Sequence, residues 1–158
     1  MKVVYPGMFD PPTYGHLDII KRAIELFGEV LIFVAENSMK NPLFSAQERI
    51  DMLKEITRDI KGVSVSSFSG LLVDEIQKRG IKIVVRGLRA ISDFEFEFQM
   101  ALTNKKMYPE LETVFLMTDE SHFYLSSSVV KELAELHRYL ECFVPEQVLV
   151  KLKEKFNG

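Results

Sequence analysis

Cysteine is almost missing: Cys142 is the one cysteine in 158 residues. That excludes a disulfide framework and any metal site built from several thiolates, and it makes a reducing cytoplasm the expected location. Beside Phe143, the lone thiol reads as a core residue rather than a nucleophile. Positive charge is also short. Lysine and arginine number 20 against 23 aspartates and glutamates, a net charge of −3, and the pI is near 5.7. Such a chain has no broad basic field for a polyanion, which argues against nucleic acid as a partner but leaves room for a local phosphate pocket. No apolar run approaches the roughly 20 residues of a membrane span. The chain opens on a strand pattern without a signal-peptide layout, so no membrane partner is expected. Neither G-x-G-x-x-G nor G-x-x-x-x-G-K-[ST] occurs, which removes the main support for a dinucleotide fingerprint or a P-loop. Internal repeats, low-complexity stretches and linkers are absent too. With 47% hydrophobic and 27% charged residues, the composition suits one soluble domain over residues 1–158 that buries roughly 70% of its unfolded surface.

What is present is organised around Tyr5-Pro6-Gly7-Met8-Phe9-Asp10-Pro11-Pro12-Thr13-Tyr14-Gly15-His16. The apolar run Val3–Tyr5 before it reads as a buried strand. After it, Leu17, Ile20, Ile24 and Phe27 recur at steps of three and four, which predicts a helix with one apolar face. Prolines and glycines between the two elements impose a tight, shaped loop. That loop delivers Gly15 and His16 to the first helical turn, where free N–H groups and the positive dipole end favour an anion.

Further strands are predicted at 30–35, 63–68, 81–85 (ending at Arg86) and 113–117, each a short apolar run. Helices alternate with them. Ser45 and Glu48 form a capping box, as do Ser92 and Glu95 at the head of a helix to about Lys105. A helix over 71–78 stops at Gly80. Another runs from Ser126-Ser127-Ser128 to Leu136, and the last starts at Pro145 with Val148, Leu149, Leu152 and Phe156 on one face. Buried strands alternating with helices predict an α/β fold: a parallel sheet covered on both faces. In such sheets ligands bind beyond the carboxyl ends of the strands, where the strand order reverses. The polar outliers fall at those ends: Phe9 to His16, Lys40, Gly70 to Leu72, Arg86 to Arg89, and His122 to Ser128. Lys40, Arg86, Arg89 and His16 together suit a polyphosphate, because guanidinium forks make charge-assisted bonds to phosphate oxygens.

Each residue also has a plainer reading. Arg86 could leave its strand to pair with Glu95 or Glu97; those two glutamates do not share a helical face, so paired-carboxylate catalysis is not indicated. Lys40 could be a solvated loop lysine. Ser126 to Ser128 could be an ordinary cap cluster. His122 and His137 read by default as surface residues. For His16, the neighbouring Gly15 and the strand–loop–helix setting favour a functional role.

Thr13-Tyr14-Gly15-His16 after a strand resembles the [H/T]-x-G-H signature of the nucleotidyltransferase superfamily. Tyr5-Pro6-Gly7-x-Phe9-Asp10-Pro11 resembles the bacterial phosphopantetheine adenylyltransferase family. So do Lys40-Asn41-Pro42-Leu43-Phe44, Arg86-Gly87-Leu88-Arg89-Ala90, Asp93-Phe94-Glu95, and Leu125-Ser126-Ser127-Ser128-Val129-Val130-Lys131, so that the likeness runs from about Lys2 to Pro145. The resemblance implies a Rossmann-like doubly wound sheet of five parallel strands in the order 3-2-1-4-5, with helices on both faces and a C-terminal helical segment. It implies transfer of the adenylyl group of ATP to 4′-phosphopantetheine, giving dephospho-coenzyme A and pyrophosphate with Mg²⁺, in a cytoplasmic hexamer that coenzyme A inhibits. Carried over by position, His16, Lys40 and Arg89 would be catalytic, and Met8, Lys40, Leu72 and Arg86 would bind phosphopantetheine. Met8, Phe9, His16, Gly87, Leu88, Arg89, Glu97 and His122-Phe123-Tyr124-Leu125-Ser126-Ser127-Ser128 would bind ATP.

Three positions depart from the family pattern. Met8 stands where Thr or Ser is usual and cannot donate a hydroxyl hydrogen bond, a loss on the order of 10²-fold if nothing replaces it. His122 replaces an aromatic residue, and Leu136 to Glu141 lacks the usual Gly-Asp step. Two alternatives stay open. One is a transferase for another phosphate acceptor, such as a cytidylyltransferase, against which the R-G-L-R-A run weighs. The other is a nucleotide- or coenzyme A-binding module with little turnover, motivated by Met8.

Overall fold

The computed structural model describes residues 1–36, 41–122 and 126–157. Its centre is a five-stranded parallel sheet in the order β3-β2-β1-β4-β5, made of β1 (Lys2–Gly7), β2 (Glu29–Ala35), β3 (Val63–Phe68), β4 (Ile83–Leu88) and β5 (Glu112–Met117). Helices connect the strands: α1 (Tyr14–Phe27), α2 (Ala46–Ile56), α3 (Leu72–Lys78) and α4 (Ile91–Met107). Two more, α5 (Ser127–Glu135) and α6 (Glu146–Asn157), follow the sheet. The expected order of strands and the helical C-terminal segment are both observed.

Strand alternation decides the two cores. Val3, Tyr5, Val30, Ile32 and Val34 face α1 and α2, packing on Ile19, Ile20, Ile50 and Leu53. Their neighbours Val4, Leu31 and Phe33 point the other way, onto Val73, Ile76, Tyr108 and Leu111. Strands buried on both faces need apolar residues at every position, which is why they read as continuous runs. A third cluster joins α2, α5 and α6 through Met52, Val130, Ala134, Val148 and Leu152. No helix among the described residues is long and apolar enough to cross a membrane.

Three expectations are corrected. The Ser92–Glu95 capping box is not the start of α4: the cap is Ala90, whose carbonyl accepts the N–H groups of Asp93 and Phe94 at 3.1 and 3.3 Å. Helical bonding therefore starts two residues early. The fourth strand ends at Leu88, not Arg86, because β5 stays alongside it, Arg86 opposite Phe115 and Leu88 opposite Met117. Cys142 is exposed: burial begins only after it, with Phe143 packed against the third cluster and Val144 within it. The Ser45–Glu48 box is present as read.

One charged residue lies deep in this frame. Arg49 on α2 is 1% exposed. Its Nη1 donates to the carbonyls of Met8 (2.8 Å) and Ala35 (2.9 Å), and its Nε to those of Phe44 (3.1 Å) and Ser45 (3.3 Å). One guanidinium thus ties the ends of β1 and β2 to the start of α2. Replacing it by methionine would remove the side-chain donor from the carbonyls of Met8, Ala35 and Phe44, while that of Ser45 keeps the Arg49 N–H at 3.0 Å. Arg49→Met is expected to lower unfolding stability by about 3 kcal/mol or more, read as a lower urea midpoint at unchanged slope.

Candidate active site

The strand order reverses between β1 and β4, and beyond their carboxyl ends lies a cleft of about 260 Å³. One wall is the loop after β1 and the first turn of α1, with Met8, Phe9, Gly15 and His16. The opposite wall comes from β4 and the start of α4, with Arg86, Gly87, Arg89, Asp93 and Glu97. Ser126, Ser127 and Ser128 close the rim. Segments far apart in the chain therefore converge as the parallel-sheet rule requires. Gly87 permits this: a Cβ there would meet Ile19 of α1 at 3.1 Å.

His16 is held by a capping box. Thr13 is the N-cap of α1; its hydroxyl accepts the N–H of His16 at 3.3 Å, and the Thr13 N–H donates to His16 Nδ1 at 3.0 Å. A ring nitrogen that accepts a backbone N–H carries no proton, so the neutral imidazole holds its proton on Nε2. Burial, followed by the charges of Arg89 and Arg86, lowers the His16 pKa to about 3. The ring packs edge-on against Phe9, centroids 4.9 Å apart, and Phe9 in turn against Tyr5 at 5.2 Å. Burial raises the Tyr5 phenol's pKa well above its ordinary value. Phe9, 2% exposed, takes a left-handed φ of 51°, a conformation costing roughly 1–2 kcal/mol for a side-chain-bearing residue.

Arg86 is not simply directed at the cleft. Its Nε and Nη2 donate to the two carboxylate oxygens of Glu97 at 2.8 and 2.5 Å, and its Nη1 donates to the Pro6 carbonyl at 2.6 Å. Burial opposes its charge, but the fork on Glu97 wins, and the guanidinium's pKa is raised. Arg89 lies 3.6 Å from Asp93 through its Nε. The serine cluster divides its work. Ser126 caps α5, accepting the Val129 N–H, and Ser127 donates to the Pro11 carbonyl at 2.8 Å.

Leu72 lies instead in an adjoining, more apolar cleft of about 260 Å³, lined also by Phe68, Phe96, Met100 and Asn104. The two clefts share Met8, Arg86 and Glu97. Leu88 and His122 are outside both linings. Lys40 and Phe123 to Leu125 fall outside the described residues. Sequence reading missed Asp10, Thr13 and Arg49. Arg49 left a trace, since it sits four residues before Leu53 on what is otherwise the buried stripe of α2.

Comparison with known proteins agrees with this geometry. The cytidylyltransferase-like family model matches residues 4–133. The phosphopantetheine adenylyltransferase of Dictyoglomus turgidum is 56% identical over 157 residues, covering 99% of this chain and 98% of the relative. That of Dictyoglomus thermophilum is 55% identical, covering 99% and 96%. That of Caldanaerobacter subterraneus is 54% identical over 154 residues, covering 98% and 96%. The crystal structure of a bifunctional NMN adenylyltransferase/ADP ribose pyrophosphatase from Francisella tularensis superposes with a TM-score of 0.76 at 15% identity. This chain spans half of that protein, and the likeness speaks for the fold alone. The strand order, the cleft at its reversal and near-full-length identities above 50% lead to one assignment: the chain belongs to the phosphopantetheine adenylyltransferase family, within the cytidylyltransferase-like group.

Proposed function

We propose that the chain transfers the adenylyl group of ATP to 4′-phosphopantetheine, giving dephospho-coenzyme A and pyrophosphate. The observation that carries this is the meeting of His16, Arg86, Arg89 and the α5 serines in one cleft, beside an apolar channel containing Leu72. The first cleft suits ATP and the second the pantetheine arm, with Met8, Arg86 and Glu97 at the join where two phosphates would meet. Gly87 and Phe9 would flank the nucleotide. Lys40 would serve the acceptor phosphate, and Leu88 and His122 to Leu125 the nucleotide, as the family resemblance implies.

The acceptor phosphate is already ionised, so attack on the α-phosphorus needs no general base and no covalent intermediate. Catalysis then consists of positioning two anions in line and stabilising the charge that develops on the α-phosphoryl oxygens. His16 is suited to this as a neutral Nε2–H donor, already oriented by Thr13. Arg89 adds positive charge. Arg86 acts through its fork on Glu97, which holds the guanidinium in place until a phosphate arrives.

Mg²⁺ fits as an ion carried by the nucleotide. The cleft's carboxylates, Asp93 and Glu97, face Arg89 and Arg86, and no cluster of three or more metal-ligating side chains occurs among the described residues. Magnesium commonly keeps its waters and binds substrate phosphates with few protein ligands. Bound there, it would neutralise charge on the triphosphate.

Self-association, to the hexamer of the family, is supported by α4. Phe94, Phe98 and Leu102 are 46, 47 and 56% exposed, and a helix apolar on several sides calls for a cover. Inhibition by coenzyme A would follow from its carrying the same pantetheine arm, and a cytoplasmic location suits the substrates.

Pyrophosphate release from ATP and phosphopantetheine tests the reaction; release with neither this acceptor nor a panel of other phosphates would overturn it. His16→Ala is expected to lower kcat by roughly 10²–10³-fold with an unchanged circular dichroism spectrum. Its pKa near 3 lies below the ordinary 6.5, so the ring is neutral on both sides of pH 6.5. The His16 ring proton shifts should stay flat from about pH 5 to 8 in NMR. By the same sign, the unfolded chain takes up a proton near pH 6.5 that the folded ring refuses, so this residue removes stability as pH falls from there towards 3. Leu102→Glu is expected to shift the assembly to smaller species in sedimentation velocity.

A further inference from the structure

A buried ionic cluster just outside the cleft is not accounted for by substrate contact. Asp10, 3% exposed, follows Met8 and Phe9 in the first loop. Its Oδ1 accepts the N–H of Phe44 at 2.9 Å, and its Oδ2 accepts that of Leu43 at 2.9 Å. The ammonium of Lys131 stands 3.1 Å from the same Oδ2. Lys131 lies on α5, one turn beyond Ser127, and its side chain is 32% exposed. One carboxylate therefore ties the backbone of Leu43 and Phe44 to α5, the helix whose first turn carries the serines.

The two amide bonds already satisfy the carboxylate oxygens. Lys131 is thus not required for hydrogen-bond satisfaction; it supplies a countercharge and a tether. A salt bridge with one partner this buried resists screening and fixes geometry. The tether acts on α5 at the same end as the bond from Ser127 to the Pro11 carbonyl. Together they hold the serine turn against the first loop at two points.

We propose, with ATP and phosphopantetheine as the substrates inferred above, that Asp10 and Lys131 act as a pair of positioning residues for the nucleotide side of the cleft. The carboxylate, fixed by the Leu43 and Phe44 amides, holds the serine turn through the ammonium. Loss of either residue therefore acts on ATP and not on the acceptor, a split that a purely structural role would not produce.

The test is steady-state pyrophosphate release with each substrate varied in turn, for Asp10→Asn, Lys131→Met, Lys131→Arg and the double variant Asp10→Asn/Lys131→Met. Lys131→Met is expected to raise the ATP KM on the order of tenfold and leave the phosphopantetheine KM within about twofold. Lys131→Arg restores most of the loss. Asp10→Asn raises the ATP KM likewise, and the double variant binds ATP no worse than the weaker single one, as expected for residues acting as a pair. A lower Tm with neither KM changed by Lys131→Met, equal changes in both, or an unchanged ATP KM in Asp10→Asn overturns the proposal. If Asp10→Asn does not fold, the Lys131 variants still decide through the KM split. If the wild type turns over no substrate, the proposed function fails; the Kd of ATP by calorimetry then decides the role of Lys131 alone.

Discussion

How the chain leaves β1 governs everything at the functional edge. Met8 and Phe9 must turn out of the sheet, with Phe9 in a left-handed conformation, and that turn is secured by two buried charges of opposite sign. Arg49 takes the carbonyls of Met8, Ala35, Phe44 and Ser45, while Asp10 takes the amides of Leu43 and Phe44. The short segment after the second strand is thus gripped by its donors on one side and its acceptors on the other. Burial pushes the Arg49 pKa down, and the charges of Asp10 and Glu36 act against it. A hydrophobic substitute could fill the space but could not bond the carbonyls of Met8, Ala35 and Phe44 or the amides of Leu43 and Phe44. That explains a cation and an anion where the fold alone would take leucine.

The cleft built on this anchor separates neutral donors from charges. His16 is kept uncharged by burial and by Arg89 and Arg86, so it adds direction rather than charge. The arginines supply charge, and Glu97 restrains one of them. An empty cleft with two bare guanidiniums would repel itself. The carboxylates relieve that repulsion and leave a phosphate to compete for the same donors. Met8 contributes its backbone carbonyl to Arg49 and its side chain to the join of the two clefts. Its place is therefore determined by the anchor, whatever side chain it carries.

Much of this was legible residue by residue. Apolar runs on five strands declared a parallel sheet, and the rule for such sheets pointed at one edge, where His16, Arg86, Arg89 and the serines do meet. Local chemistry was less reliable where two readings competed. Ser45 and Glu48 formed their box, whereas Ser92 is not the cap of its helix, which begins at Ile91 with Ala90 as the N-cap. Arg86 was read chiefly as a phosphate ligand, and its plainer partner Glu97 also proved real. Cys142 is exposed although Phe143 beside it packs against the core, so adjacency to an apolar residue did not decide its burial.

Periodicity and the spacing of glycine, proline and polar residues determined the element order, the type of sheet and the edge where function gathers, because these depend on short-range sterics and on which side chains avoid water. Tertiary structure alone decided the partners of Asp10, Arg49, Lys131 and Glu97, and the proton position on His16. Those outcomes depend on which backbone groups are left unpaired when distant segments meet, and a linear string holds no record of that until the sheet has brought them together.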